Sequence, residues 1–212
     1  QKKIIFKKLG LIIIDEQHKF GVNQRKKLSD KGGDNCDILL MTATPIPRTL
    51  TMTIYGDMDL SIIREKPKNR KPIITYSKLE NNIEDIIKFI KKEIKLNNQI
   101  FWVCPLIEES KKLDHASAIK KFDYLKKLFP NQVSLLHGKT KNEEKEAILN
   151  NFLKNNFKIL VSTTIIEVGI DFPNANVIII ENANKFGLSQ LHQLRGRVGR
   201  GIKESSCILM FK

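Results

Sequence analysis

Short apolar runs alternate with helical periods along most of this chain, and no other feature constrains its fold as strongly. Apolar residues on both faces are typical of strands buried in a parallel sheet. The strand-like runs are residues 9–15, 36–42, 72–78, 99–104, 132–137, 157–162, 175–181 and 205–211. Strands that alternate with helices predict an α/β fold, with parallel sheets that carry helices on both faces.

Three apolar stripes with helical spacing lie between the later runs. Their residues are Ile83, Ile86, Ile87, Ile90 and Ile94; Ile119, Phe122, Leu125 and Phe129; and Ile148, Leu149 and Phe152. In sheets of this kind, ligands bind at the carboxyl ends of the strands. We therefore expect the functional residues to lie at those ends or on the loops that follow them.

One segment interrupts the alternation. Residues 64–72 are charged, contain two prolines and have no apolar period, which is typical of a linker. We predict a linker at 66–72 between two domains, 1–65 and 73–212. The six strand-like runs after it suffice for a nearly whole domain, whereas the two before it predict only the C-terminal part of a first one.

The net charge and the cysteine spacing indicate what kind of partner the protein binds and in which compartment it works. A formal net charge of +14 predicts a polyanionic partner, of which nucleic acid is the obvious one. Coding bias also produces lysine-rich chains, but three arginines fall together in residues 195–200. No apolar run approaches the roughly 18 residues of a membrane span, so we expect no membrane partner. Three widely spaced cysteines argue against a disulfide framework and favour a reducing, intracellular setting.

Two adjacent carboxylates, Asp15 and Glu16, end the first strand-like run and are followed by Gln17 and His18. In nucleotide hydrolases an Asp at this place holds Mg²⁺, usually through water, and the neighbouring Glu orients and deprotonates the attacking water. Acidic residues after a strand are also ordinary turn residues or helix caps. The apolar strand before the pair and the DEQH context favour the catalytic interpretation, with Asp15 as the Mg²⁺ residue.

Hydroxyl groups follow two other strand-like runs. After the second run, Thr42 and Thr44 predict either a capped helix start or a surface that couples nucleotide to DNA. After the sixth run, Thr163 and Thr164 have the hydroxyls that suit phosphate oxygens of a nucleic-acid strand. Asp171, in the same segment, is a candidate acceptor for a ribose hydroxyl.

The segment RGRVGR, residues 195–200, is the sharpest signal. Arg197 and Arg200 are three apart, so in a helix they share a face, and Gly196 and Gly199 let a phosphate approach the backbone. Two guanidiniums placed together repel each other unless an anion lies between them. A γ-phosphate, whose charge grows in the transition state, is the natural anion, so the pair predicts arginine fingers. The alternative is a basic helix that binds nucleic acid.

Gly138-Lys139-Thr140 has the residues that end a phosphate-binding loop but does not make one. That loop needs G-x-x-x-x-G-K-[ST], and Val133 stands where its first glycine would be. Thr140 and Glu143 instead predict a capping box, with Lys139 left to contact a nucleic-acid phosphate. No other match occurs in the sequence, so we expect the triphosphate-binding loop to lie before Gln1.

Five segments occur in the order of motifs II, III, IVa, V and VI of superfamily 2 helicases: DEQH, TATPIPRT, LLHGK, STTIIEVGID and QLHQLRGRVGRG. The longer segments IIIDEQHKFGVNQR, VCPLIEESKKLD and ANKFGLSQLHQLRGRVGRG resemble the RecG family of bacterial ATP-dependent DNA helicases. The resemblance covers essentially the whole chain. Transcription-repair coupling translocases share TATPIPRTL but usually read DEEH, and the replication-restart helicase carries paired zinc cysteines that this chain lacks.

The resemblance implies RecA-like domains of the P-loop NTPase class: the C-terminal part of the first and most of the second. It also implies a role for each matching residue. The implied sets are Asp15 and Glu16 for Mg²⁺ and the attacking water; His18, Thr42 and Thr44 for coupling ATP to DNA; Gln193, Arg197 and Arg200 for the γ-phosphate; Gly169 and Asp171 for the rest of the nucleotide; and Lys139, Thr163 and Thr164 for the DNA backbone.

The implied protein is a monomeric, cytoplasmic bacterial motor that uses ATP and Mg²⁺ to remodel branched DNA, such as stalled forks and recombination intermediates. Without a phosphate-binding loop of its own, the 212-residue chain is expected to bind ATP poorly and to be inactive alone. Two other interpretations stay open: an RNA helicase with the same chemistry, and a non-catalytic module that binds nucleic acid.

Overall fold

The computed structural model describes residues 4–16, 21, 27–28, 30–32, 36–42, 59–65, 70–105, 111–163 and 171–212, without the side chains of 111–117. The chain divides into two compact units, Gln1–Ile62 and Ile63–Lys212, and each is described by itself. The domain limits 1–65, 66–72 and 73–212 stay a prediction, and most of the predicted linker lies outside the described residues.

The first unit contains two described strands, β1 (Leu11–Ile14) and β2 (Asp37–Leu40), which pair in parallel. Along β1, Ile12 and Ile14 are buried, whereas the other two residues are about half exposed. Because side chains alternate between the two faces of a strand, the described residues of this unit cover one face of the pair. Among the described residues, β1 is thus buried on the face of Ile12 and Ile14 and half exposed on the other.

The second unit is built on a six-stranded sheet with the strand order β3-β8-β7-β4-β6-β5. The strands are β3 (Ile73–Leu79), β4 (Gln99–Val103), β5 (Val133–Leu136), β6 (Ile159–Ser162), β7 (Ala175–Ile180) and β8 (Ser205–Phe211). All of their pairings are parallel. Together with β1 and β2, they confirm every strand predicted from the sequence, with small differences at the ends.

Four helices in the described part of this unit cover both faces of the sheet: α1 (Ile83–Lys95), α2 (Lys111–Leu128), α3 (Asn142–Leu153) and α4 (Leu188–Arg195). On one face, Ile90 and Leu125 from α1 and α2 pack with Trp102. On the other, Phe152 from α3 packs with Phe101, with ring centroids 5.2 Å apart, and α4 joins the same cluster. The predicted α/β fold is confirmed. No helix in the described residues has the length and apolar character that crossing a membrane requires.

Two exposure patterns in this unit differ from the sequence prediction. β3 is an edge strand, and its Ile74, Tyr76 and Leu79 are between 44% and 47% exposed. In α2, Ala118 is fully buried whereas Ile119 is 38% exposed, so the helix turns its small residue toward the core. Apolar periodicity does not reveal which strand is outermost, nor how closely a helix approaches the sheet.

Side-chain hydrogen bonds fix the amino ends of the central strands. Asn176 Nδ2 donates to Asn98 Oδ1 at 2.9 Å, and the Ser205 hydroxyl donates to Asn176 Oδ1 at 3.3 Å. Gln99 Nε2 donates to the carbonyl of Phe152 at 2.6 Å. Buried polar groups that have partners hold one geometry. The segments that enter β4, β7 and β8 are therefore held in a defined arrangement.

Candidate functional site

Asp15, Glu16 and Thr42 lie together at the carboxyl edge of the strand pair in the first unit. Asp15 and Glu16 follow β1 directly, and Thr42 follows β2 by two residues. The Met41 N–H donates to the Ile14 carbonyl at 2.8 Å, which keeps the two segments side by side beyond the strands. Asp15 is exposed, while Glu16 and Thr42 are half-buried. All three lie where the sequence predicted, and their roles stay predictions.

The backbone at Glu16 is unusual for a residue with a side chain, since φ is 50°. This left-handed conformation costs roughly 1–2 kcal/mol for a residue other than glycine, and such strain is typical of functional sites. Asp15 Oδ1 accepts a hydrogen bond from the Glu16 N–H at 2.9 Å, which offsets part of that cost. The turn therefore displays two carboxylates that differ in exposure.

Lys139 lies beyond the carboxyl end of β5, in a turn that hydrogen bonds of His137 and Thr140 stabilise. The Thr140 hydroxyl accepts a hydrogen bond from the His137 N–H at 3.2 Å, and His137 Nδ1 accepts one from the Lys139 N–H at 3.2 Å. The Lys139 side chain is exposed. The predicted capping box of Thr140 and Glu143 is wrong: α3 has Lys141 as its N-cap, without a side-chain hydrogen bond, and the threonine hydroxyl is used inside the turn.

Thr163 lies on the neighbouring strand end, directly after β6, and is 5% exposed. Its N–H donates to the Leu136 carbonyl at 3.3 Å, which joins the ends of β5 and β6. The structure thus brings Lys139 and Thr163, two of the predicted DNA contacts, to one edge of the sheet. Thr164, the third, lies outside the described residues.

Asp171 and Arg200 meet at the opposite, amino edge of the same sheet. Asp171 lies just before β7, and Arg200 lies just before β8. The Arg200 guanidinium forms an ion pair with the Asp171 carboxylate, from Nη1 to Oδ1. The sequence led us to expect the candidate residues at the carboxyl ends of the strands or on the loops that follow them, whereas these two meet at the amino edge. Parallel strands require the connecting chain to return along the sheet, so residues after α4 reach the amino ends.

The prediction that Arg197 and Arg200 share a helix face is wrong, because α4 ends at Arg195. Both arginines lie in the turn that follows, which contains Gly199 with a φ of +72°. A Cβ at Gly199 would lie 3.0 Å from Ile73 Cγ1. A side chain there would be both strained and crowded. This glycine therefore shapes the turn and packs against β3, whereas the sequence suggested that it opens the backbone to a phosphate.

The remaining predicted residues fall into two groups. Gln193, on α4, and Arg197, in the same turn as Arg200, are both half-buried. His18, Thr44 and Gly169 lie outside the described residues.

Arg70 is a basic residue of the amino edge that sequence analysis placed in the linker. Its Nε–H donates to the Gly199 carbonyl at 3.2 Å. Burial lowers the pKa of the Arg200 guanidinium, and the charge of Arg70 lowers that pKa further. No local pattern reveals this neighbour, because the contact joins residues 129 positions apart in the sequence.

Residues 67–201 match the family model of the helicase conserved C-terminal domain. Over 99% of this chain, 52% of the residues are identical to a protein named ATP-dependent DNA helicase RecG from Bacillus subtilis (strain 168). The identity is 54%, also over 99% of the chain, to the protein of that name from Aquifex aeolicus (strain VF5). The chain spans 31% and 27%, respectively, of the length of these two relatives.

A solved structure of RecG bound to a three-way DNA junction is similar to this chain in fold and in sequence. The TM-score is 0.73 and the identity 43%, over 99% of this chain and 27% of that one. These similarities confirm the resemblance to RecG helicases and the RecA-like α/β fold that it implied.

Proposed function

Because this chain belongs to the helicase conserved C-terminal domain family, we propose that it is part of an ATP-driven DNA motor, a helicase that acts on branched DNA in repair and recombination. The observation that carries the proposal is the similarity to RecG helicases along the whole chain. Those relatives are named ATP-dependent DNA helicases, and the solved RecG is bound to a three-way DNA junction. Branched DNA is therefore the substrate class that we assign.

Asp15 and Glu16 have the chemistry for the metal and the water of ATP hydrolysis. Asp15 is an exposed carboxylate after a strand, and carboxylate oxygens are ligands that Mg²⁺ prefers, so the residue fits this ion. When bound, Mg²⁺ neutralises charge on the phosphates. Glu16, half-buried in its strained turn, orients and deprotonates the attacking water. Thr42, with His18 and Thr44, couples hydrolysis to DNA.

Arg200 is the proposed charge-stabilising group for the γ-phosphate, with Arg197 and Gln193 beside it. Its partner Asp171 has a side chain that is 67% exposed, and ion pairs this exposed contribute only ~0–1 kcal/mol. A multiply charged phosphate attracts a guanidinium more strongly than one solvated carboxylate does. Arg200 therefore exchanges Asp171 for the phosphate, and Asp171, with Gly169, then serves the ribose.

Lys139, Thr163 and Thr164 are the proposed contacts to the DNA backbone. The exposed ammonium of Lys139 is accessible to a phosphate, and the net charge of +14 supports a polyanionic partner. Contacts to phosphates carry no base code, so we expect binding that depends on DNA shape and not on sequence. Within the second unit, Lys139 and Thr163 lie at the edge of the sheet opposite to that of Asp171 and Arg200, which supports separate places for DNA and for nucleotide.

The proposal includes a setting. The protein works as a monomer in the cytoplasm of a bacterium, where thiols stay reduced. Cys36, Cys104 and Cys207 are free thiols, which suits that compartment. Light scattering at micromolar concentration, with and without forked DNA, measures the molar mass and so tests whether the protein is a monomer.

The experiment that tests the function measures ATP hydrolysis by the full-length gene product. Forked DNA, linear duplex, single-stranded DNA and a matched RNA fork are compared as activators. We expect forked DNA to stimulate turnover most. Stimulation by RNA but not by DNA would identify an RNA helicase instead. Salt-sensitive DNA binding that ATP does not change, without turnover, would identify a non-catalytic module.

A further inference from the structure

Arg70 is joined to the turn that carries Arg200 by the geometry of the sheet itself. β3 pairs with β8 in parallel, with Ile73 opposite Ser205. The segments that precede these two strands therefore run next to each other, and Arg70 lies beside Gly199. The Arg70 Nε–H donates to the Gly199 carbonyl at 3.2 Å.

The carbonyl that Arg70 holds belongs to the peptide bond between Gly199 and Arg200. The other side of Gly199 is also fixed, since a Cβ there would lie 3.0 Å from the Ile73 side chain and 3.4 Å from Ser205 Cβ. The backbone from which the Arg200 side chain departs is therefore held on two sides. The hydrogen bond from Arg70 is the contact that a substitution can remove without changing the turn residues.

The charges around Arg200 favour an anion with more than one negative charge. Among the described residues, Asp171 forms an ion pair with Arg200. Burial lowers the pKa of Arg200, and repulsion from the positive charge of Arg70 lowers that pKa further. Arg200 thus has one solvated carboxylate as its partner and a second cation, Arg70, close enough to lower its pKa. A polyphosphate carries more negative charge than this carboxylate, so it attracts Arg200 more strongly beside a second cation.

We propose that Arg70 is a positioning residue for Arg200. It holds the Gly199 carbonyl, so that the backbone at Arg200 stays in place when the Arg200 side chain moves from Asp171 to a phosphate. This inference rests on the proposed ATP hydrolysis. It assigns a function in the motor to a residue of the predicted linker. The Arg70 guanidinium acts through the backbone and through its charge, and it does not need to touch the nucleotide.

The test uses three variants of the full-length protein: Arg70→Ala, Arg70→Gln, which keeps a donor without the charge, and Arg70→Lys, which keeps the charge and a donor. Lys71→Ala is the matched control, because Lys71 is the adjacent cation and forms an exposed ion pair with Glu204 at 3.5 Å. We expect Arg70→Ala to lower the kcat of DNA-stimulated ATP hydrolysis about 10- to 100-fold, as small misplacements of reacting groups do. The KM for ATP, DNA affinity and Tm stay close to those of Lys71→Ala, and Arg70→Lys recovers most of the loss.

Three results would overturn the inference, and they are distinguishable from one another. Equal kcat in Arg70→Ala and Lys71→Ala, with Arg200→Ala inactive, removes the positioning role and leaves the proposed function intact. A fall in Tm that accounts for the loss of activity, without recovery in Arg70→Lys, makes Arg70 a structural residue only. Absence of DNA-stimulated hydrolysis in the unsubstituted protein removes the proposed function, and this inference falls with it.

Discussion

The two edges of the second unit's sheet hold their polar residues in different ways. At the carboxyl edge, Lys139 and Thr163 are placed by bonds within one turn and by a backbone bond between neighbouring strands. At the amino edge, Arg70, Asp171 and Arg200 come from three distant segments: the Arg70 side chain bonds the Gly199 carbonyl, and the side chains of Asp171 and Arg200 form an ion pair. The first edge is thus fixed through its backbone, whereas charges from separate segments are able to exchange partners. Steady DNA contact therefore suits the first edge, and ATP hydrolysis suits the second.

Arg200→Ala is the substitution for which we expect the largest difference between ATP hydrolysis, assigned to the amino edge, and DNA binding, assigned to the carboxyl edge. It removes the proposed charge on the γ-phosphate, and the loss of an arginine finger costs roughly 10³-fold or more in kcat. We expect DNA-stimulated ATP hydrolysis to be abolished, while affinity for forked DNA in a fluorescence anisotropy titration stays within about twofold. Near-normal turnover in this variant would refute the finger assignment. A parallel loss of DNA affinity would show that the edges are not separate.

Gly201→Ala probes how tightly the amino edge is packed. A Cβ at Gly201 would lie 2.6 Å from the Pro173 carbonyl oxygen, which belongs to the segment that carries Asp171. Because a backbone atom is in the way, we expect a loss of about 1–3 kcal/mol in the free energy of unfolding, and reduced ATP turnover.

Gly196→Ala is the matched control, since its Cβ would lie 3.4 Å from the Gln193 carbonyl oxygen. We expect chemical denaturation to place this control within about 0.5 kcal/mol of the unsubstituted protein. Equal stabilities of the two variants would contradict the close contact at Gly201.

The same contrast explains how much the sequence predicted. Strands and helical stripes were predictable because their signals are local: the run that forms β7, for example, is apolar at nearly every position. The carboxyl-edge residues were predictable because they follow the ends of strands within a few positions. At the amino edge, Asp171 and Arg200 were also predicted as candidates, but their meeting at that edge and the contribution of Arg70 were not. The contact of Arg70 with Gly199 joins residues 129 positions apart, so no local sequence pattern reveals it. The predicted capping box at Thr140 failed for a related reason, because a competing hydrogen bond to the His137 N–H uses the same hydroxyl.

Lys139→Ala probes the carboxyl edge, and we expect its effect to be smaller than that of Arg200→Ala. Removing one phosphate contact lowers DNA affinity several-fold and reduces the magnitude of the slope of log K against log salt by about 1. We expect the kcat for ATP at saturating DNA to stay unchanged, opposite to the result for Arg200→Ala. Lys141→Ala is the control for charge alone, since Lys141 is also exposed and follows two residues later. Equal salt slopes in the two variants would show that Lys139 contributes only to the general charge.

Two buried thiols give the finest comparison. Cys104 follows β4 at the carboxyl edge, and burial together with the Glu181 carboxylate raises its pKa far above the ordinary value; its Sγ donates to Glu181 Oε2 at 3.5 Å. Burial raises the pKa of Cys207, in β8, to about 11, and the nearby charge of Arg195 opposes that rise. Both thiols are at most 1% exposed, so a difference in thiolate content, and not in access, is expected to separate their reactivity.

We expect iodoacetamide to label the half-buried Cys36 first, Cys207 later and Cys104 last, as followed by mass spectrometry of peptides at pH 9. Burial is the largest cause of the raised pKa of Cys104, and the Glu181 carboxylate adds to it. Glu181→Gln removes that second contribution, so we expect labelling of Cys104 in this variant to become faster and to move toward the rate for Cys207. The raised pKa values also have a consequence for stability: the neutral thiols favour the folded unit below pH ~9, and this contribution is lost as the pH rises through the folded values. Identical rates for Cys104 and Cys207, unaffected by Glu181→Gln, would mean that labelling waits for unfolding of the whole unit. The two edges would then unfold in one step, and they would differ only in the chemistry of their side chains.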